Sequence, residues 1–140
     1  MLKVSDVIGD FPKLDHFELG VQRNRMIYAI SFFVHQLGWI ELKDREVDGN
    51  WGYARFLVPV SNSAICIQLT ELVDDPVEPV RSDHGHLGLK VSDPSRAAEA
   101  IVAWARSVGL KEIEVEPVPG NKCFVYLWEL FKSGLELVPR

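Results

Sequence analysis

From Leu14 onward, apolar and polar side chains alternate one by one. Phe17, Leu19 and Val21 fall on one face, and His16, Glu18 and Gly20 on the other. A period of two predicts a strand with one buried face. The period then lengthens: after Asn24, the residues Met26, Ile30, Phe33 and Leu37 recur at three- and four-residue steps, flanked by Ile27 and Val34. This predicts an amphipathic helix, with Gly38 as its C-cap. Strand-like runs follow near Trp39–Arg45, Tyr53–Val60 and Ala64–Leu72, separated by turn residues at Asp48-Gly49-Asn50 and Ser61-Asn62-Ser63. Residues 74–83 hold Pro76 and Pro79 among charges and read as a linker. Then the pattern restarts. His84 to Val91 alternates as a strand. Asp93-Pro94 is an N-cap followed by proline at the first helical position. Ala97, Ala98, Ile101, Val102, Ala105 and Val108 make an apolar helix face, and Gly109 ends it. Further strands are expected near Lys111–Val115, Lys122–Leu127 and Leu135–Val138.

Both halves therefore read strand, helix, then about three strands. His16 and His86 are 70 residues apart, Gly38 and Gly109 are 71 apart, and Gln68 and Glu136 are 68 apart. Such a fixed offset marks an internal duplication of a βαβββ unit. Module one is expected at about 14–73, the linker at about 74–83 and module two at about 84–138, all within one 140-residue domain. The fold class is α+β. Two such sheets set side by side would form a cupped half-barrel.

Charge narrows the class of partner. Fifteen Lys+Arg against twenty Asp+Glu give a net charge of −5, which argues against nucleic acid and favours neutral or cationic small ligands. The N-terminal residues carry Lys3, Asp6 and Asp10 without a long apolar core, so no signal peptide is expected. The longest uncharged apolar stretch, Met26 to Val34, falls far short of the roughly 20 residues that span a bilayer. Cys66 and Cys123 lie in separate strands with no CxxC spacing, as expected of buried thiols in a cytoplasmic protein.

Chemistry is expected where a polar residue interrupts an apolar strand, because burying it without a partner costs about 1–3 kcal/mol. His16, Gln68, His86 and Glu136 are four such residues, on the first and last strands of the two units. One divalent cation would satisfy all four, and two imidazoles, an amide oxygen and a carboxylate suit Mn, Fe(II), Co, Ni or Zn. The simpler reading is that His16 and His86 are hydrogen-bonded inside a pocket that takes an organic ligand or none. Around them, Trp51, Tyr53 and Arg55 share one strand face, and Phe124, Tyr126 and Trp128 another. Those faces would either stack on an aromatic or cationic ligand or pack within the sheets. Lys90 shares a face with His86 and would hold a substrate carboxylate or sit at the rim. No phosphate-binding glycine loop and no Ser/His/Asp arrangement is present.

Leu14-Asp15-His16, Phe32-Phe33, Leu37-Gly38, Ile67-Gln68-Leu69, Gly85-His86-Leu87-Gly88-Leu89 and Leu135-Glu136-Leu137-Val138, in this order, resemble the vicinal-oxygen-chelate superfamily. That superfamily includes glyoxalases, bleomycin-resistance proteins, extradiol dioxygenases, fosfomycin-resistance enzymes and methylmalonyl-CoA epimerases. The resemblance covers about residues 14–138. It implies metal positions at His16, Gln68, His86 and Glu136, a set similar to that of the epimerases and some glyoxalases. His16, His86 and Glu136 would also serve a dioxygenase. It further implies a homodimer with the cup at or near the interface, and a metal-dependent lyase or isomerase acting on a small oxygenated substrate. Glu136 would then be both ligand and proton carrier, with Glu18 or Glu71 as other candidate bases. The alternative implied is a metal-free drug-binding protein of the bleomycin-resistance type. Trp128-Glu129-Leu130-Phe131-Lys132-Ser133-Gly134 replaces the usual turn before the last strand, and the potassium- and phosphonate-binding pattern of the fosfomycin enzymes has no match.

Overall fold

Strand β1 (His16–Val21) follows the alternation in part: Leu19 and Val21 are buried and His16 and Glu18 exposed, but Phe17, expected on the buried face, is 54% exposed. This computed structural model describes residue 3 and residues 14–45, 47–49, 52–72 and 85–140, with the backbone alone for 47–49, 52 and 53. The expected linker, Trp51 and His84 lie outside the described residues. After β1, Asn24 takes a left-handed φ of 62° and donates its backbone N–H to the Glu71 carboxylate at 2.6 Å. Helix α1 (Met26–Ser31) then begins.

The helix does not run regularly to Leu37. It widens into a π-helical turn (Phe32–Gln36), closed by the Leu37 N–H donating to the Phe32 carbonyl. The wider turn shifts the helical phase beyond it; Phe32 and Phe33 are buried side by side, and Ile27, earlier in α1, is 74% exposed. Gly38 ends the segment at φ 72°. The expected strand over Trp39–Arg45 is also corrected. Only β2 (Ile40–Glu41) is extended, and Lys43–Arg45 curl into a 3-10 turn. The curl carries the Arg45 guanidinium back over the Phe56 ring, 4.3 Å from its centre. Part of the expected Asp48–Asn50 turn is strand β3 (Val47–Gly49), paired with β4 (Gly52–Val58). Strand β5 (Cys66–Glu71) completes a sheet of order β1-β5-β4-β2, with β3 also on β4 and β1 parallel to β5.

The second half repeats this plan. It consists of β6 (His86–Val91), α2 (Pro94–Ser107), β7 (Ile113–Val118), β8 (Lys122–Leu127) and β9 (Gly134–Pro139). Helix α2 starts as its sequence dictates. Pro94 opens it and the Asp93 carboxylate accepts from Arg96 N–H at 3.1 Å, a cap worth about 1 kcal/mol. The sheet order is β6-β9-β8-β7, again with first and last strands parallel.

The helix-facing sides of both sheets share one core that includes Leu19, Leu69, Phe33, Leu135 and Leu137. Phe32 joins the halves: its ring centre lies 5.2 Å from that of Trp104 and 5.9 Å from that of Phe131. Each fully buried aromatic here contributes about 1.5–3 kcal/mol. The connection from β8 to β9 also clasps the edge of β1. Gln22 N–H donates to the Leu130 carbonyl at 2.8 Å and Lys132 N–H to the Gly20 carbonyl at 2.9 Å, with Val21 bridging Phe131. Cys66 and Cys123 are free and buried. Among the described residues no helix is long and apolar enough to cross a membrane.

Candidate functional site

Each sheet buries one face under its helix and presents the other. On the first sheet the presented face carries His16, Glu18, Phe56, Gln68 and Thr70; on the second it carries His86, Lys90, Phe124, Tyr126 and Glu136. The registers correspond. His16 lies opposite Cys66 and Glu18 opposite Gln68; His86 lies opposite Gly134 and Gly88 opposite Glu136. A histidine thus begins the first strand of each module, and an amide or carboxylate stands third on the neighbouring strand.

In the second module the pair is in contact. His86 Nε2 lies 2.7 Å from Glu136 Oε2, with the carboxylate side chain only 16% exposed. Phe124 stands perpendicular to the His86 ring, 5.1 Å between centres. From Phe124 an aromatic ladder continues. Phe124 and Tyr126 stack at 5.9 Å, and Tyr126 and Trp128 at 4.4 Å. Tyr126 is fully buried and donates its hydroxyl to Glu116 at 3.3 Å, so it forms the floor of the ladder rather than a stacking surface for a ligand. Half-buried Trp128 ends the ladder.

In the first module the donors are held differently. The Gln68 NH₂ donates to Thr70 Oγ1 at 2.9 Å and to Glu18 Oε2 at 3.4 Å, so the atom it could offer to a cation is its carbonyl oxygen. His16 Nδ1 lies 2.7 Å from Asp15 Oδ2, and the same oxygen accepts from Arg45 at 2.8 Å. The Arg45 guanidinium, and secondarily His16, hold the Asp15 carboxyl below its ordinary range. Arg45 also donates to Cys66 Sγ at 3.2 Å.

Among the described residues no three His, Cys, Asp or Glu side chains converge on a point that could hold an ion. The chain brings His86 and Glu136 together and leaves His16 and Gln68 on the other sheet. A groove of about 530 Å³ lies between β1 and β6, with Phe17, Glu18, Ile67, His86 and Gly88 in its walls. Lys90 is exposed on the His86 face. Arg55 pairs with Leu69 and so points to the helix side, away from Gln68. The side chains of Trp51 and Tyr53 are outside the described residues. Glu71, on the helix side as well, is engaged by Asn24. Asp15 and Arg45 were not predicted from the sequence. An acidic residue beside a strand histidine is a usable signal for the first, and nothing local marks the second.

No protein-family profile matches this sequence, and no curated protein matches it. Solved structures do. A trypanothione-dependent glyoxalase I from Leishmania major is 20% identical over 92% of this chain and 87% of that one, with a TM-score of 0.60. A fosfomycin resistance protein, FosX, from Listeria monocytogenes, in complex with Mn(II) and a dihydroxypropylphosphonic acid, is 14% identical over 91% and 92%, with a TM-score of 0.55. TnmS3, an antibiotic binding protein from a Streptomyces species, is 17% identical over 94% and 98%, with a TM-score of 0.53. The chain has the vicinal-oxygen-chelate fold. Within that fold the two sheets are the paired βαβββ modules expected from the duplication, the first carrying β3 in addition. The similar structures span nearly their whole length, so vicinal-oxygen-chelate topology accounts for both halves and not for one module alone.

Proposed function

We propose that this chain is a cytoplasmic, metal-dependent lyase or isomerase of the glyoxalase/epimerase type, acting as a homodimer on a small oxygenated substrate. The observation that carries the reading is the His86–Glu136 contact at 2.7 Å, in the same register as His16 and Gln68 on the other sheet. Two imidazole nitrogens, one amide oxygen and one carboxylate fit Mn, Fe(II), Co, Ni or Zn. A second copy that lays its first sheet against the second sheet of this one would complete the set. Such a metal supplies Lewis-acid stabilisation of negative charge on adjacent substrate oxygens. Glu136 takes a proton from substrate carbon and returns it, as general base and then acid. Gly88 opposite it has open space above its backbone, which gives substrate access to that carboxylate. A FosX of this fold is solved with Mn(II), which supports a metal reading.

A specific observation favours a second reading, a metal-free protein that binds an aromatic or cationic compound. Trp128 ends an aromatic ladder flanked by Glu116 and Glu136, and TnmS3 is an antibiotic binding protein. Thermal melting of stripped protein with Mn, Fe(II), Co, Ni and Zn, against a magnesium control, separates the two. An ion at 100 times its Kd adds about 2.7 kcal/mol, roughly several degrees in Tm. We expect that shift for at least one ion, and its loss in His16→Ala and in His86→Ala. Mixed and reannealed, those two variants should recover about a quarter of wild-type metal capacity if sites are shared across a dimer. No recovery would place each site within one chain. No shift with any ion would overturn the metal reading and leave the binding protein.

A further inference from the structure

The two site histidines are presented by different means. His86 follows Gly85, and its Nε2 faces Glu136 directly. His16 follows Asp15, and its Nδ1 lies 2.7 Å from the Asp15 carboxylate. A carboxylate can only accept, so Nδ1 carries the proton and the neutral ring keeps its lone pair on Nε2. Asp15 is itself anchored: Arg45 donates to the same carboxylate oxygen at 2.8 Å. Arg45 is fixed in turn, by its bond to buried Cys66 and by resting over the ring of buried Phe56. Phe56 also stands perpendicular to the His16 ring, 5.8 Å between centres. One aromatic ring therefore supports both ends of the Arg45–Asp15–His16 chain.

We infer that Asp15 is a positioning residue that fixes His16 in the Nδ1–H tautomer and so aims Nε2 at a metal, with Arg45 as its anchor. The tautomer part stands on the geometry alone, and the metal part rests on the function proposed above. A hydrogen-bonded carboxylate behind a metal-binding histidine typically changes metal affinity by about 10–100-fold. An ion pair that merely tied the 3-10 turn to β1 would leave the ring tautomer unaffected.

The test reads the tautomer first, in stripped protein labelled with ¹⁵N-histidine, at mildly alkaline pH. Long-range ¹⁵N–¹H correlation shows which ring nitrogen bears the proton, and the His16 signals are assigned by their absence in His16→Ala. Wild type should show Nδ1–H at His16. Asp15→Ala should move it to the Nε2–H form that histidine prefers in water, whereas Asp15→Asn, whose amide oxygen still accepts, should retain Nδ1–H. An Nε2–H signal in wild type, or an unchanged tautomer in a folded Asp15→Ala protein, overturns the inference. Zinc titration then follows, with about a 10–100-fold weaker Kd expected for Asp15→Ala and partial rescue in Asp15→Asn. Failure of wild type to bind any ion would overturn the metal reading while the tautomer result still decides the role of Asp15.

Discussion

Gly134 starts the last strand directly beneath the Tyr126 ring. A Cβ there would come within 2.6 Å of Tyr126 Cε1 and 3.0 Å of Cδ1. Tyr126 has little freedom to retreat, because Phe124 and Trp128 stack on either side of it. Gly134→Ala should therefore destabilise by about 1–3 kcal/mol, read as a lower urea midpoint, with an altered near-ultraviolet circular dichroism signal from the displaced ladder. The same contact explains a limit of sequence reading. His16, Gln68, His86 and Glu136 could be assigned to a face from their immediate neighbours, since alternation is a local property. The burial of Tyr126 depends on Gly134 across the sheet, and the face of Arg55 depends on its pairing with Leu69. Asp15 and Arg45 are separated by 30 residues and meet only because Lys43–Arg45 curl. Those relations are tertiary, and no window of the chain contains them.

The start of β7 depends on a side chain from the β8–β9 connection. Glu129 Oε1 accepts from the backbone N–H of Lys111 at 2.5 Å and of Glu112 at 2.7 Å. These bonds, that from Glu112 foremost, hold the Glu129 carboxyl below its ordinary value of 4.5. A depressed folded-state value means stabilisation present above the unfolded value and lost as pH falls through the folded one. Glu129→Gln should thus be less stable than wild type at pH 7 by about 1 kcal/mol, allowing for solvent screening. In thermal melts across pH the difference should shrink as pH falls below 4.5 and vanish once pH is below the lowered folded-state value. A gap that persisted in acid would show that shape and not charge matters here. Among the secondary structures, α2 could be predicted from Asp93-Pro94 and its apolar face because cap and stripe agree. The first helix could not be predicted in full. Its apolar spacing fits a regular helix, and the wider turn goes with the packing of Phe32 against Trp104 and Phe131, partners remote in sequence.

Taken whole, the molecule is two copies of one plan around a shared core, with His16 and Gln68 on the presented face of one sheet and His86 and Glu136 on that of the other. The duplication could be read from offsets of 68 to 71 residues. How the modules meet could not, because that is decided by Phe32, Trp104 and Phe131 and by the clasp of residues 130–132 on β1. The clasp has a consequence for how the protein breathes. The amide protons of Gln22 and Lys132 are held by bonds that exist only while both modules are folded and in place. In hydrogen–deuterium exchange they should open with the same free energy as the amide of Val125 in the middle of β8, as one cooperative unit. Faster exchange at Gln22 and Lys132 alone would show the modules parting before either unfolds. Equal exchange would mean that a mutation weakening one half shortens the lifetime of both.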